Sequence, residues 1–109
     1  MALVIRRGDV FIAQFFKDTA RLGVVVRADI WRKSDNVTLC QLTSSDEHFN
    51  LARTRVKVRD RAGAGTVEMV VEVDRLQTLP ITRIGKYVDH LAISEMHAVD
   101  AGLRLWLNL

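Results

Sequence analysis

A chain of 109 residues, 49 % hydrophobic and 27 % charged, has the make-up of one globular unit with its own apolar core. It is too apolar for a disordered segment, and its apolar runs fall far short of the roughly 18–20 residues that cross a bilayer. A net charge of +3 is compatible with a phosphate backbone as partner but does not demand one.

At the N-terminus the basic pair Arg6-Arg7 follows a short apolar stretch, the reverse of a secretory signal, so none is expected. Cys40 is the only cysteine, which excludes an intrachain disulfide and points to a reducing, cytoplasmic setting. Residues 9–15 carry Val10, Phe11, Ile12, Ala13 and Phe15, a short run rich in strand formers. Residues 22–26 repeat this with consecutive valines, and one helical turn is expected over residues 29–33. Residues 36–42 alternate apolar with polar, as a strand with one buried face does. Residues 54–59 alternate more cleanly still, valine inward and basic residues outward. The tract Arg61-Ala62-Gly63-Ala64-Gly65 predicts a turn, followed by a fifth strand over residues 67–73.

Helical spacing appears at the end, where Ile93, Met96, Val99, Leu103 and Trp106 would line one face. Ser94 is the expected N-cap. Gly102 costs such a helix about 1 kcal/mol relative to alanine, and is expected where another backbone comes close. Five strands joined by short connections favour antiparallel pairing, with no sign of a second domain in residues 1–109.

The three histidines, His48, His90 and His97, are scattered, and none stands at a metal-ligand spacing from another. Neither metal nor cofactor is expected. Gly63 and Gly65 lack the lysine and following helix of a nucleotide-binding loop, and no nucleophile elbow occurs. What remains is phosphate chemistry by arginine and hydroxyl groups. Arginine presents a planar fork that can donate two hydrogen bonds to phosphate oxygens, and a hydroxyl at a strand end can donate to the same oxygens. Arg21 stands just before the second strand, and Thr43-Ser44-Ser45 just after the third. By themselves these residues read equally as a surface arginine and as a turn held by hydroxyl-to-backbone bonds.

The same segments resemble the MazF/PemK toxins. Arg6-Arg7-Gly8-Asp9-Val10-Phe11 is similar to the family's opening, and Arg21-Leu22-Gly23-Val24-Val25-Val26 to its Arg-Pro and valine-rich second strand. Gln41-Leu42-Thr43-Ser44 resembles the Pro-Leu-Thr-Ser that ends the third strand, so Leu22 and Gln41 replace two family prolines. Residues 71–79 resemble the late strand with its aspartate, and residues 84–86 and 94–105 the closing loop and helix.

The resemblance implies a mainly β fold, an SH3-like curled antiparallel barrel with a short helix and a C-terminal α-helix. It implies metal-independent cleavage of single-stranded RNA by a homodimer that a cognate antitoxin neutralises. Carried over by position, Arg21 and Thr43 are the catalytic pair, and Arg7, Lys17, Ser44, Ser45 and Asp74 are RNA contacts. The family's mobile flap corresponds to residues 16–20, which here are few and lack glycine. Two other readings keep the fold. One is a CcdB-like toxin that binds a protein target such as DNA gyrase, for which Trp106-Leu107-Asn108-Leu109 is a partial echo; the other is an inactive RNA-binding relative.

Overall fold

Period-two alternation becomes six strands of one antiparallel sheet: β1 (Asp9–Phe16), β2 (Thr19–Val25), β3 (Asn36–Thr43), β4 (Thr54–Arg59), β5 (Thr66–Pro80) and β6 (Ile84–His90). Across the sheet their order is β4-β5-β3-β2-β1-β6, and the sheet curls into a half-barrel closed by the helix α1 (Ile93–Leu107). This computed structural model describes residues 4–44 and 50–109; Ser45 and His48 lie outside the described residues. No helix among them is long and apolar enough to cross a membrane.

Alternate residues feed two cores. Val10, Val24, Cys40, Leu42, Val71 and Val73 pack on the side covered by Met96 and Val99 of α1. Phe11, Phe15, Val25, Leu39, Leu79 and Ile84 form a second cluster on the opposite face. β-Branched residues dominate because their stiff side chains suit a pleated surface buried on both sides.

The edge strands β4 and β6 meet through carboxylates. The Lys57 backbone N–H donates to Glu95 Oε2 at 2.7 Å, and the Arg59 N–H donates to Asp89 Oδ2 at 2.8 Å. These bonds satisfy edge amides that would otherwise offer a template for another strand.

Four expectations need correction. A sixth strand, β6, stands where a closing loop was expected; only its Ile84 and Val88 are buried, so it carries little apolar signal. The fifth strand continues to Pro80 rather than ending at Val73, because a bulge interrupts its alternation. In α1 the buried residues are Met96, Val99 and Gly102, with Leu103 half-buried, whereas Ile93 and Trp106 face solvent. The helix starts after Ala92, whose N–H donates to Glu95 Oε1 at 3.0 Å, so a carboxylate reaching back replaces the expected Ser94 cap. The single turn expected over residues 29–33 is present as a 3-10 turn, Asp29–Trp31, and the β4–β5 turn is closed by Gly65 at a φ of 86°.

Gly102 does admit a neighbouring backbone: a Cβ there would lie 2.1 Å from the Ala52 carbonyl oxygen. Gly102→Ala should therefore destabilise the chain by about 1–3 kcal/mol in urea melts, although alanine is the better helix former. Gly63→Ala, whose Cβ would find its nearest neighbour at 3.6 Å, should change little. A stabilised Gly102→Ala variant would contradict the packing described.

Candidate functional site

β2 and β3 pair through Gly23↔Gln41, Val24↔Cys40 and Val25↔Leu39. Arg21 lies two residues beyond Gly23, and Thr43 two residues beyond Gln41. Side chains alternate along a strand, so Arg21 and Thr43 share a face and stand in one row across the two strands. It is the face opposite α1, continuous with Val25 and Leu39. Phe15 fills the space over Gly23, where a Cβ would come within 2.6 Å of its ring. Arg21 is exposed and Thr43 half-buried.

Lys17 and Asp18 make a two-residue turn between β1 and β2, closed by the Phe16↔Thr19 pair, and Gln14 Nε2 donates to the Lys17 carbonyl. The short, glycine-free segment is thus a tight hairpin tip. Lys17 is exposed there and lines a cleft of about 410 Å³ with Gln14, Thr82 and Arg83, beside the strand that carries Arg21. Ser44 is exposed immediately after Thr43. Arg7 is not brought to this row. Its Nε donates to the Val26 carbonyl at 3.1 Å and its Nη2 to Asp100 Oδ1, tying the far end of β2 to α1.

Asp74 is committed inside the protein. Arg53 Nε donates to its Oδ1 at 2.8 Å and Arg53 Nη2 to its Oδ2 at 2.9 Å, a bidentate fork. Arg53 Nη2 also lies 3.3 Å from Glu72 Oε2, which Arg75 Nε approaches to 3.0 Å from the other side. Arg53 and Glu72 are buried, so two cations and two carboxylates balance within the sheet. The hydrogen bonds from Arg53 hold the Asp74 carboxyl below the usual carboxylate range, and the same bonds raise the Arg53 guanidinium. Cys40, by contrast, is a buried thiol pushed up to about 12, first by burial and then by the Asp74 charge, which makes it a poor nucleophile.

Sequence reasoning missed Arg53 and Glu72. Neither has a local signal, since Arg53 meets Asp74 across 21 residues of chain. It also missed the contact of His90 Nδ1 with Asp9 Oδ1 at 2.7 Å, which pins the start of β1 to the edge strand β6. Among the described residues no three His, Cys, Asp or Glu side chains converge as a metal site would need.

The Asp74 shift sets a pH signature. A carboxyl with its folded pKa below its unfolded value of about 3.9 stabilises the fold above that value, and the contribution is lost as pH falls through the folded pKa. Asp74→Asn should therefore cost about 1.5–3 kcal/mol at pH 7. In urea melts the difference from the parent should shrink as the pH is lowered below about 4. A difference independent of pH would contradict the charge-assisted bond.

The family described as PemK-like, MazF-like toxin of type II toxin-antitoxin system matches residues 6–107. Among curated proteins, no sequence matches the chain. The fold is similar to that of the structure described as "Endoribonuclease in complex with its cognate antitoxin from Mycobacterial species", at 18% identity, a TM-score of 0.77 and coverage of 95% of each chain. It is equally similar to the Mycobacterium tuberculosis toxin MazF-mt6, at 22% identity and a TM-score of 0.77, covering 93% of this chain and 97% of that one. MazF from Deinococcus radiodurans aligns over 99% of this chain and 100% of its own at 16% identity and a TM-score of 0.76. With the family matched over nearly its whole length, the chain belongs to the PemK-like, MazF-like toxins of type II toxin–antitoxin systems.

Proposed function

We propose that the chain is an endoribonuclease toxin that cuts single-stranded RNA without a metal and is held in check by a cognate antitoxin. The observation that carries this reading is the shared row of Arg21 and Thr43 on an open face of the sheet, in a chain of the toxin family. Arg21 is exposed, and the turn at Lys17 and Asp18 that leads into its strand is only two residues long.

RNA carries its own nucleophile. The 2′-OH attacks the adjacent phosphorus and the bond to the 5′-oxygen breaks, leaving a 2′,3′-cyclic phosphate and a 5′-hydroxyl. The attacking hydroxyl gives up a proton and the leaving oxygen gains one, so no external nucleophile enters this step. The protein's task is to stabilise the charge that builds on the non-bridging oxygens. Arg21 supplies a cation and two parallel donors for them, and the Thr43 hydroxyl a further donor. Lys17 and Ser44, both exposed, are proposed as further RNA contacts.

If Arg21 acts on charge present only in the transition state, Arg21→Ala should lower single-turnover cleavage roughly a hundred- to thousand-fold at saturating protein. Thr43→Val should cost less. The double variant should be less impaired than the product of the two effects, because both groups serve one phosphate. Cleavage should persist in excess chelator. Cleavage by Arg21→Ala at the parent rate would remove the catalytic assignment, and activity lost in chelator but restored by magnesium would remove metal independence.

A homodimer is part of the same reading. The end of α1 leaves Leu105, Trp106 and Leu109 exposed, at 61%, 52% and 85%, with Leu103 half-buried behind them. Apolar surface of that kind suits a self-complementary contact. Light scattering at tens of micromolar should give a mass near twice that of the chain, and Trp106→Asp should lower it. A monomeric mass for the parent would remove the dimer.

A further inference from the structure

β3 and β5 do not pair in one register. From Asn36↔Pro80 to Cys40↔Leu76 they follow one alignment, and from Gln41↔Glu72 to Thr43↔Val70 another, with Val73, Asp74 and Arg75 left outside the ladder between them. Thr43 thus belongs to the segment whose position is set on the far side of this bulge. The β2–β3 ladder ends at Gly23↔Gln41, so the strand partner that braces Thr43 is Val70, and displacement of residues 70–72 would let Thr43 drift from the row it shares with Arg21.

The four-charge network sits on the bulge. Arg53 grips Asp74 within it with both donors and touches Glu72 at its edge, while Arg75 holds Glu72 from the other side. Arg53 is itself anchored. Its backbone N–H and that of Ala52 donate to Asn50 Oδ1 at 3.2 and 2.9 Å, and the Ala52 carbonyl is pressed against Gly102 of α1. Across from Glu72 in the β3–β5 ladder, the buried Gln41 side chain has an Oε1 with no partner among the described residues.

We infer that Arg53 is a positioning residue for the phosphate site: by clamping Asp74 and Glu72 it fixes the β5 bulge, and with it the β5 segment that braces Thr43 beside Arg21. This rests on the proposed RNA cleavage for its effect on turnover, but the clamp itself can be read without any substrate. Arg53 is buried, so its loss should act on the chemical step rather than on RNA capture.

The test combines single-turnover and steady-state cleavage with hydrogen exchange on the full-length chain. Arg53→Met, at a temperature where circular dichroism shows it folded, should lower kcat on the order of a hundredfold with KM within about twofold of the parent. Amide protection over residues 41–43 should fall while that of Val10 and Val24 is retained. Arg53→Lys, which keeps the charge but not the fork, should recover part of both. Unchanged kcat and unchanged protection overturn the inference, as does a raised KM at constant kcat, which would make Arg53 an RNA contact. If Arg53→Met does not fold, Asp74→Asn should show the same pattern at smaller amplitude, and a parental pattern in that variant overturns the clamp. If the parent chain cuts no RNA, the proposed function fails on its own, and the exchange experiment still decides the clamp.

Discussion

The bidentate bond between Arg53 and Asp74 is the contact on which the arrangement of this sheet turns. β5 is 15 residues long and serves two neighbours, β4 through residues 66–71 and β3 through residues 70–72 and 76–80. The bulge at residues 73–75 is where its pairing with β3 changes register. Left unrestrained, such a bulge could migrate along the strand. A buried fork between two charges is strongly directional, and removing either partner leaves the other charged and desolvated, so it fixes the bulge at one place.

The same economy of means closes the half-barrel. β4 and β6 do not complete a ladder; Glu95 and Asp89 accept the edge amides of Lys57 and Arg59 instead. Glu95 does this while its other oxygen accepts the Ala92 amide at the start of α1, so one side chain joins the helix terminus to the sheet edge. Arg7 makes a matching tie at the other side, linking the Val26 carbonyl to Asp100. Its role in the fold is thus to bind α1 to β2, at the end of that strand remote from Arg21. Helix and sheet are held together by side chains whose charges are largely used up internally, while Arg21 and Thr43 lie on the opposite face.

What could be read from the sequence follows the physics of each element. β1 to β4 show in alternation and β-branching because their buried faces are continuous. The second half of β5 did not, since the bulge at residues 73–75 shifts the phase of the pattern. β6 is an edge strand with Gly85, Lys86 and Tyr87 exposed, so it looks like a loop. The helix was legible, but its buried residues are Met96, Val99 and Gly102, while Ile93 and Trp106 towards its two ends are exposed. For the candidate site, the family resemblance led to Arg21 and Thr43, whose common face follows from strand register. The engagement of Asp74 could not be foreseen, because an arginine ahead of a strand carries no mark of burial until the sheet is assembled.

In the proposed cleavage the RNA supplies the nucleophile and the protein stabilises the phosphate. The ends of the products decide it most directly. Long single-stranded RNA incubated with the purified chain in chelator should yield fragments with 5′-hydroxyl and 2′,3′-cyclic phosphate ends, and a strand with 2′-O-methyl groups throughout should remain intact. Fragments with 5′-phosphate and 3′-hydroxyl ends, or cutting of the 2′-O-methyl strand, would show that water attacks from outside and would contradict the account.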